Sequence, residues 1–126
     1  NLGSESFSIC LGKESGSDAY FVWNDVDRSG QEGVITFPVV GAMTWSVKIS
    51  GISLHFGHLK RKVGCEGGCG AIVDSGTSLI GMPSDSFRNF AKHLQSLGFM
   101  GCEDLSKYPD LVITIDGQNL HFPPSA

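Results

Sequence analysis

One carboxylate in the sequence is surrounded by residue types that support acid–base chemistry. Asp74 follows a short apolar run, and the four residues after it are small: Ser75, Gly76, Thr77 and Ser78. Three hydroxyl groups therefore lie next to a single carboxylate, and hydroxyls that donate hydrogen bonds to the ionised form lower its pKa. A carboxylate held in this way can take up or release protons during a reaction.

The elements around Asp74 are expected to present it at the end of a buried strand. Residues 71–73 form a continuous apolar run of the kind found in buried strands, and the run stops at Asp74. Gly76 lets the following backbone turn and be approached closely. A buried charge without partners is costly, which gives the neighbouring hydroxyls a structural purpose. Taken by itself, the triplet Asp-Ser-Gly is also compatible with an ordinary polar turn.

Alternating apolar residues predict a mostly β chain. The predicted strands cover residues 7–11, 20–23, 45–49, 52–56, 71–73, 111–115 and 120–122. Ser50-Gly51 is predicted to form a hairpin turn between the third and fourth of these strands, and Asp116-Gly117 the turn between the last two. Residues 34–40 are predicted as an edge or bulged strand, because Pro38 cannot donate to a strand ladder.

One helix is predicted over residues 84–97. Ser84 is predicted as its N-cap, and Gly98 is predicted to end it. Apolar residues recur at helical spacing and form one face: Phe87, Phe90, Ala91, Leu94 and Leu97. This face is expected to pack against the core, and Trp23 and Trp45 are expected to be core residues as well.

The overall composition narrows the class of protein. The chain has 126 residues, of which 40% are hydrophobic and 17 are glycines, and its net charge is −4. This balance predicts one compact domain with many tight turns and excludes a collagen-like or disordered chain. Neither a membrane helix nor a basic run long enough to indicate nucleic-acid binding is present. Because the chain begins at Asn1, we expect it to be a piece of a longer protein or a processed product.

The four cysteines allow three disulfide pairings. Cys65 and Cys69 enclose Glu-Gly-Gly, whose glycines can bend enough for a short disulfide loop. Such a disulfide indicates an oxidising compartment. Cys10 lies within a predicted strand and Cys102 lies far downstream, and neither has an evident partner.

The run around Asp74 resembles the second active-site motif of the pepsin-like aspartic proteases (peptidase family A1), in which apolar residues precede Asp-[Thr/Ser]-Gly-[Thr/Ser]-Ser. Further stretches resemble the same family: residues 44–49, 65–74, 108–117 and 122–126. Residues 65–74 are similar to its small disulfide loop and the catalytic strand that follows. Order and spacing agree over nearly the whole chain, and the resemblance implies the mostly β C-terminal lobe of a bilobal fold.

By this resemblance, residues 1–126 are a single incomplete domain, a C-terminal lobe without its last strands. The N-terminal lobe of the same parent chain would supply the second catalytic Asp, so this chain alone is expected to be inactive. The usual partner of Cys102 would lie beyond Ala126, so Cys102 is expected to be unpaired here.

The function implied by the resemblance is that of an aspartic-type endopeptidase, which cleaves peptides and proteins at acidic pH. Asp74 would be catalytic, Thr77 would donate to its carboxylate, and Ser75 would help lock the two active-site loops. Gly76, Thr77 and Ser78 would line the substrate cleft. No cofactor, metal, nucleic acid or membrane segment is expected. The parent would occupy the secretory pathway, the extracellular space or an acidic vacuole-like or lysosome-like compartment.

Two departures from the family pattern concern substrate preference rather than the motif. Thr44 stands where the family usually has Tyr beside the Trp. Residues 21–27 replace the family's Phe-Gly-Gly-x-Asp segment.

Other functions fit parts of the sequence. A catalytically inactive homologue would use the same cleft to bind peptides or proteins. A retroviral-type homodimer is disfavoured, because Asp74 lies past the middle of the chain and a cysteine loop precedes it.

Two weak patterns are compatible with metals. Zinc ligands would be His55 and His58 with Cys65 and Cys69, although the cysteine spacing suits a disulfide better. Residues 25–30 are similar to the start of a calcium loop but lack Glu at its twelfth position. A polar turn is the better interpretation of that segment.

Overall fold

A computed structural model describes residues 3, 5–98, 101 and 103–126 of the chain. It divides into two compact units, Asn1–Thr36 and Phe37–Ala126. None of the described helices combines the length and apolar character needed to cross a bilayer.

The first unit contains one antiparallel strand pair, β1 (Phe7–Cys10) and β2 (Tyr20–Trp23). Both strands were predicted from their apolar patterns, and this prediction is confirmed. The rings of Phe7 and Phe21 stack at 5.5 Å, and Trp23 packs edge-on against Phe21 at 4.8 Å. Trp23 is nevertheless 56% exposed, so its predicted place in a core is wrong.

The second unit is built on one antiparallel sheet. Its strands are β3 (Ser46–Phe56), β4 (Leu59–Gly64), β5 (Cys69–Ile72), β6 (Asp110–Ile115) and β7 (Gln118–Phe122). The strand order is β4-β3-β6-β7, and β5 pairs with the first residues of β3. Helix α1 (Ser84–Ser96) and a short 3-10 helix (Leu105–Lys107) lie between β5 and β6 in the chain. In the part of the chain that the structure describes, the architecture is mostly β with one α-helix, which confirms the predicted fold class.

The long strand β3 replaces the hairpin that was predicted at Ser50-Gly51, and that prediction is wrong. The pairing of β3 with β6 shifts register between Ile49 and Gly51, which marks an irregularity of the β-bulge type. A bulge inserts one residue without ending the strand. Ile49 and Ile52 are both buried although they are three residues apart, since the inserted residue restores the inward direction.

Residues 34–40 do not form the predicted strand. The Val34 amide instead donates to the Gln31 carbonyl at 3.1 Å, and the Val40 amide donates to the Ser46 carbonyl at 2.8 Å. Pro38 lies between these two bonds and has no amide hydrogen to continue a ladder. The prediction allowed for the missing donor by placing the strand at an edge or a bulge, but residues 34–40 join neither of the described sheets, so it is wrong.

The core of the second unit lies between the sheet and α1. Its buried side chains are Val47, Ile49, Ile52, Leu54, Val63 and Ile115. Phe90 and Leu94 of α1 pack against them, as the helical spacing predicted. Phe87 does not follow the prediction, because it is 57% exposed.

The ends of α1 differ in how well they were predicted. The Pro83 carbonyl accepts the first helical bond from the Phe87 amide at 2.9 Å, so Pro83 is the N-cap and Ser84 is already helical. The predicted Ser84 cap is therefore wrong. At the other end, the Gly98 amide donates to the Gln95 carbonyl at 3.0 Å, and the predicted stop is confirmed.

The contact between α1 and β4 leads to a stability prediction for Gly64. A Cβ at this position would collide with the Ser86 hydroxyl and lie 3.1 Å from Ser86 Cβ. Gly64→Ala is expected to lower the free energy of unfolding by about 1–3 kcal/mol, because overpacking pushes the helix away from the sheet. Gly70→Ala is the matched control, since a Cβ there meets open space. Urea denaturation checks the prediction, and equal stability of the two variants would contradict it.

Candidate active site

Asp74 lies directly beyond β5, and β5 is anchored on the central strand. The register places Ala71 opposite Val47 and Ile72 opposite Ser46. The Val73 amide then donates to the Trp45 carbonyl at 2.8 Å, one residue before Asp74. The backbone that carries the carboxylate is therefore held by the strand that forms most of the core.

The expectation that β5 is a buried strand is wrong. Ile72 is 64% exposed, Val73 is 65% exposed, and Asp74 is exposed as well. Within the described residues, β5 is paired along one edge only, with β3. Ile72 and the following Val73 are therefore exposed, whereas Cys69 and Ala71 pack against the core.

The Asp74 carboxylate accepts two short hydrogen bonds from its own loop. The Thr77 hydroxyl donates to Oδ2 at 2.7 Å, and the Gly76 amide donates to Oδ1 at 2.8 Å. These bonds, that from Thr77 first, hold the pKa of Asp74 below its ordinary value. The predicted hydroxyl donation thus comes from Thr77, while Ser75 and Ser78 lie exposed in the same loop.

Gly76 fits this loop because the carboxylate approaches it closely. A Cβ at this position would lie 3.2 Å from Asp74 Oδ1, closer than an ordinary van der Waals contact. A larger residue would therefore press on the oxygen that accepts from the Gly76 amide. The loop keeps the carboxylate ionised and solvent-accessible, which is the arrangement needed to exchange protons with water.

A substitution at Thr77 tests the origin of the low pKa. In Thr77→Val the hydroxyl donor is lost and the shape is kept, so the pKa of Asp74 is expected to rise towards its ordinary value of 3.8. Thr77→Ser keeps the donor and is expected to keep the low pKa. Carboxyl carbon chemical shifts, followed by NMR during an acid titration, measure both variants. An unchanged pKa in Thr77→Val would assign the effect to the Gly76 amide alone.

The predicted disulfide is present and directly precedes β5. Cys65 and Cys69 are bonded, with their Cα atoms 5.4 Å apart. The Gly68 amide donates to the Cys65 carbonyl at 2.9 Å and closes the turn inside the loop. The disulfide therefore ties the end of β4 to the start of β5. Cys10 is free and exposed, and the prediction for Cys102 lies outside the described residues.

The disulfide uses the two sulfur atoms that the alternative zinc site would need. The sequence pattern also paired His55 with His58, but the ring that contacts His55 is that of His121, 5.6 Å away between centroids. No group of three or more His, Cys, Asp or Glu side chains in the described part of the chain is arranged to hold a metal ion.

The segment that resembled a calcium loop uses its carboxylates internally. Asp25 accepts from the Ser8 hydroxyl at 2.6 Å and from the Val26 amide at 2.8 Å, and it pairs with Arg28. Asp27 accepts from the Ser29 amide at 2.8 Å. These bonds are those of a polar loop.

Large apolar side chains are exposed along the chain on both sides of Asp74. The exposed fractions are 83% for Leu79 and 56% for Ile80, beside those of Ile72 and Val73. Trp45, whose carbonyl accepts from Val73, is 60% exposed, so its predicted place in the core is wrong. Exposed large apolar residues thus lie both before and after Asp74 in the chain.

The position beside Trp45 departs from the pattern of the pepsin-like proteases. The hydroxyls of Thr44 and Ser46 share a hydrogen bond of 2.7 Å. The short Thr44 side chain is thus engaged with the first residue of β3.

The whole chain, residues 1–126, matches the family model of the eukaryotic aspartyl proteases. The chain belongs to this family, which confirms the resemblance found in the motif around Asp74.

Individual relatives cover nearly all of this chain. Pepsin A of Bos taurus is 29% identical over 132 residues, which include 99% of this chain and 34% of the relative. A pregnancy-associated glycoprotein of Equus caballus is also 29% identical, with shares of 99% and 33%. Pepsin A of Gallus gallus is 28% identical, with shares of 99% and 34%. The chain spans about a third of the length of the curated relatives it matches.

Proposed function

We propose that the parent of this chain is an aspartic endopeptidase and that Asp74 is one of its two catalytic carboxylates. The observation that carries the proposal is the exposed Asp74 carboxylate, held ionised by Thr77 and Gly76 at the end of β5. Membership of the aspartyl protease family supports it. In this proposal, residues 1–126 form most of the C-terminal lobe, and the N-terminal lobe of the parent supplies the second Asp.

The chemistry requires both carboxylates. Two carboxyl groups about 3 Å apart cannot both be ionised, so they share one proton. The ionised group takes a proton from water, and the water oxygen bonds to the peptide carbonyl carbon. The protonated group gives its proton to the carbonyl oxygen. The carbon–nitrogen bond of the tetrahedral intermediate then breaks as the nitrogen takes up the proton that the first carboxyl group received from water, and one hydroxyl of the intermediate returns its proton to the second carboxylate. The pKa values belong to the pair, so Asp74 without its partner does not have this function.

The residues around Asp74 receive distinct roles in the proposal. Thr77 orients the carboxylate and keeps it ionised, and Ser75 reaches the loop of the other lobe. Gly76, Thr77 and Ser78 line the cleft that binds the peptide or protein substrate. Thr44 in place of Tyr shortens the side chain near this cleft. No cofactor takes part in the proposed chemistry.

The proposed location of the parent is the secretory pathway, with release outside the cell or delivery to an acidic vacuole-like or lysosome-like compartment. The Cys65–Cys69 disulfide supports an oxidising environment. A pair of carboxylates shares one proton at acidic pH, and this requirement favours an acidic compartment as the place where the parent acts.

Acid proteolysis by the full-length parent tests the proposal. We expect cleavage of a protein substrate at acidic pH and inhibition by a peptide that mimics the tetrahedral intermediate. The chain of residues 1–126 alone, at high dilution, is expected to show no cleavage, because it carries one Asp of the pair. Binding of the inhibitor by the parent without cleavage would instead support the inactive peptide-binding homologue.

A further inference from the structure

Two histidines and an aspartate meet on one face of the sheet in the second unit. His55 of β3 is directly opposite Asp110 of β6, and His121 of β7 donates to the Asp110 carboxylate at 3.4 Å. The rings of His55 and His121 lie edge to face, with centroids 5.6 Å apart. The three groups come from three strands, so only the sheet register brings them together.

Two lysines of β4 lie on this face next to the cluster. Lys60 is directly opposite His55, and Lys62 is opposite Ser53, two residues before His55. Lys62 is paired with Glu66 at 3.3 Å. His55 therefore has a cationic Lys60 on one side and Asp110 with His121 on the other, and cross-strand neighbours of this kind interact directly.

The surroundings of the His55 ring favour its neutral form. It is half-buried, and its Nε2 shares a hydrogen bond of 2.9 Å with the Ser53 hydroxyl. Burial is the main cause that lowers its pKa from 6.5; Lys60 and His121 lower it further, and Asp110 opposes them. Val112 lies on the same face and has no exposed surface. Ser53 and His121 are its direct cross-strand neighbours on this face.

We propose that the cluster of His55, Asp110 and His121 makes this sheet sensitive to pH, because protonation of His55 places a second cation beside Lys60 and weakens the packing over Val112. The device does not involve Asp74, so the proposal stands or fails independently of the proposed protease activity.

The direction of the effect follows from proton binding. In the unfolded chain a histidine takes up a proton near pH 6.5, whereas folded His55 resists it until a lower pH. Between these values the unfolded state binds more protons than the folded state. The stabilisation is complete above pH 6.5 and is lost as the pH falls through the lower pKa of folded His55.

NMR of the full-length parent with histidine rings labelled at carbon tests the proposal directly. His55, assigned by the signal missing in His55→Gln, is expected to titrate below pH 6.5. Lys60→Gln is expected to raise its titration midpoint, since one neighbouring cation is removed. Lys62→Gln is the matched control, because Lys62 lies on the same strand face but pairs with Glu66. Titration of His55 at pH 6.5 or above, or equal midpoints in the two lysine variants, would overturn the proposal.

Thermal unfolding of the parent gives the second measurement. The fall in Tm between pH 7.5 and pH 5 is expected to be smaller in His55→Gln than in the wild type. His58→Gln removes a histidine from the adjacent turn and is expected to keep the full fall. If His55→Gln does not fold, the His55 signal is assigned through its connection to the backbone signals, and the Lys60→Gln titration decides. An identical fall in His55→Gln and His58→Gln would overturn the proposal.

Discussion

Replacing Asp74 with Asn in the full-length parent is expected to lower kcat/KM for peptide cleavage at acidic pH by roughly 10⁴-fold. The amide has nearly the same shape as the carboxylate and can still accept from the Gly76 amide, so the loop is expected to keep its form. An amide cannot take a proton from water or share one with a second carboxylate. The substitution therefore impairs the chemical step. The affinity for a peptide inhibitor is expected to fall by a much smaller factor than kcat/KM.

Asp104→Asn is the matched control for this substitution. Asp104 is also exposed, and it accepts from the Ser106 hydroxyl at 2.6 Å and from the Ser106 amide at 3.1 Å. Its pKa is lowered mainly by the same kind of hydroxyl bond that lowers that of Asp74. Removing it changes the net charge equally and is expected to leave cleavage intact. Full activity of Asp74→Asn would remove Asp74 from the mechanism, and equal losses in both variants would indicate a general loss of structure.

The features that could be predicted from the sequence are those decided by neighbours in the chain. The Cys65–Cys69 disulfide spans four residues, and the hairpin of β6 and β7 turns at Asp116-Gly117. The Thr77 hydroxyl reaches Asp74 across three residues. In each case the interacting groups lie within one turn of backbone, so spacing and residue type decide the contact.

The features that could not be predicted depend on what packs against an element. The apolar run ending at Val73 has the composition of a buried strand, but β5 pairs along only one edge in the described residues. Trp45 is likewise apolar and exposed. The β3 bulge was read as a turn, because a one-residue break in alternation looks the same in both cases. An apolar composition shows that burying these side chains would be favourable, but it does not identify the element or molecule that covers them.

The histidine cluster also could not be predicted, because it depends on how distant strands pair. His55 and His121 are 66 residues apart in number, and no local pattern connects them. The sequence instead pairs His55 with His58, three residues away. The register of β3 with β6 and of β6 with β7 brings the actual partners together.

The largest expected loss of stability follows from Leu54, near the C-terminal end of β3. Leu54 is 3% exposed, belongs to the core and pairs across to both β4 and β6, opposite Arg61 and Leu111. Leu54→Ala removes three buried carbon atoms and leaves a cavity that a strand hydrogen-bonded on both edges cannot easily close. The free energy of unfolding is expected to fall by about 2–5 kcal/mol, a large part of the stability of an ordinary domain.

Leu11→Ala is the matched control, because it replaces the same residue type at an exposed position where no cavity forms. Leu11 is 63% exposed, and Leu11→Ala is expected to change the free energy of unfolding by less than about 0.5 kcal/mol. Urea denaturation of the full-length parent measures both variants.

The cavity at Leu54 is also expected to affect the candidate site. The first residues of β3 pair with β5, so a weakened β3 is expected to loosen the backbone that carries Asp74. Leu54→Ala is therefore expected to lose cleavage activity at lower urea concentrations than Leu11→Ala, and parallel loss in both variants would show that the candidate site does not depend on this core.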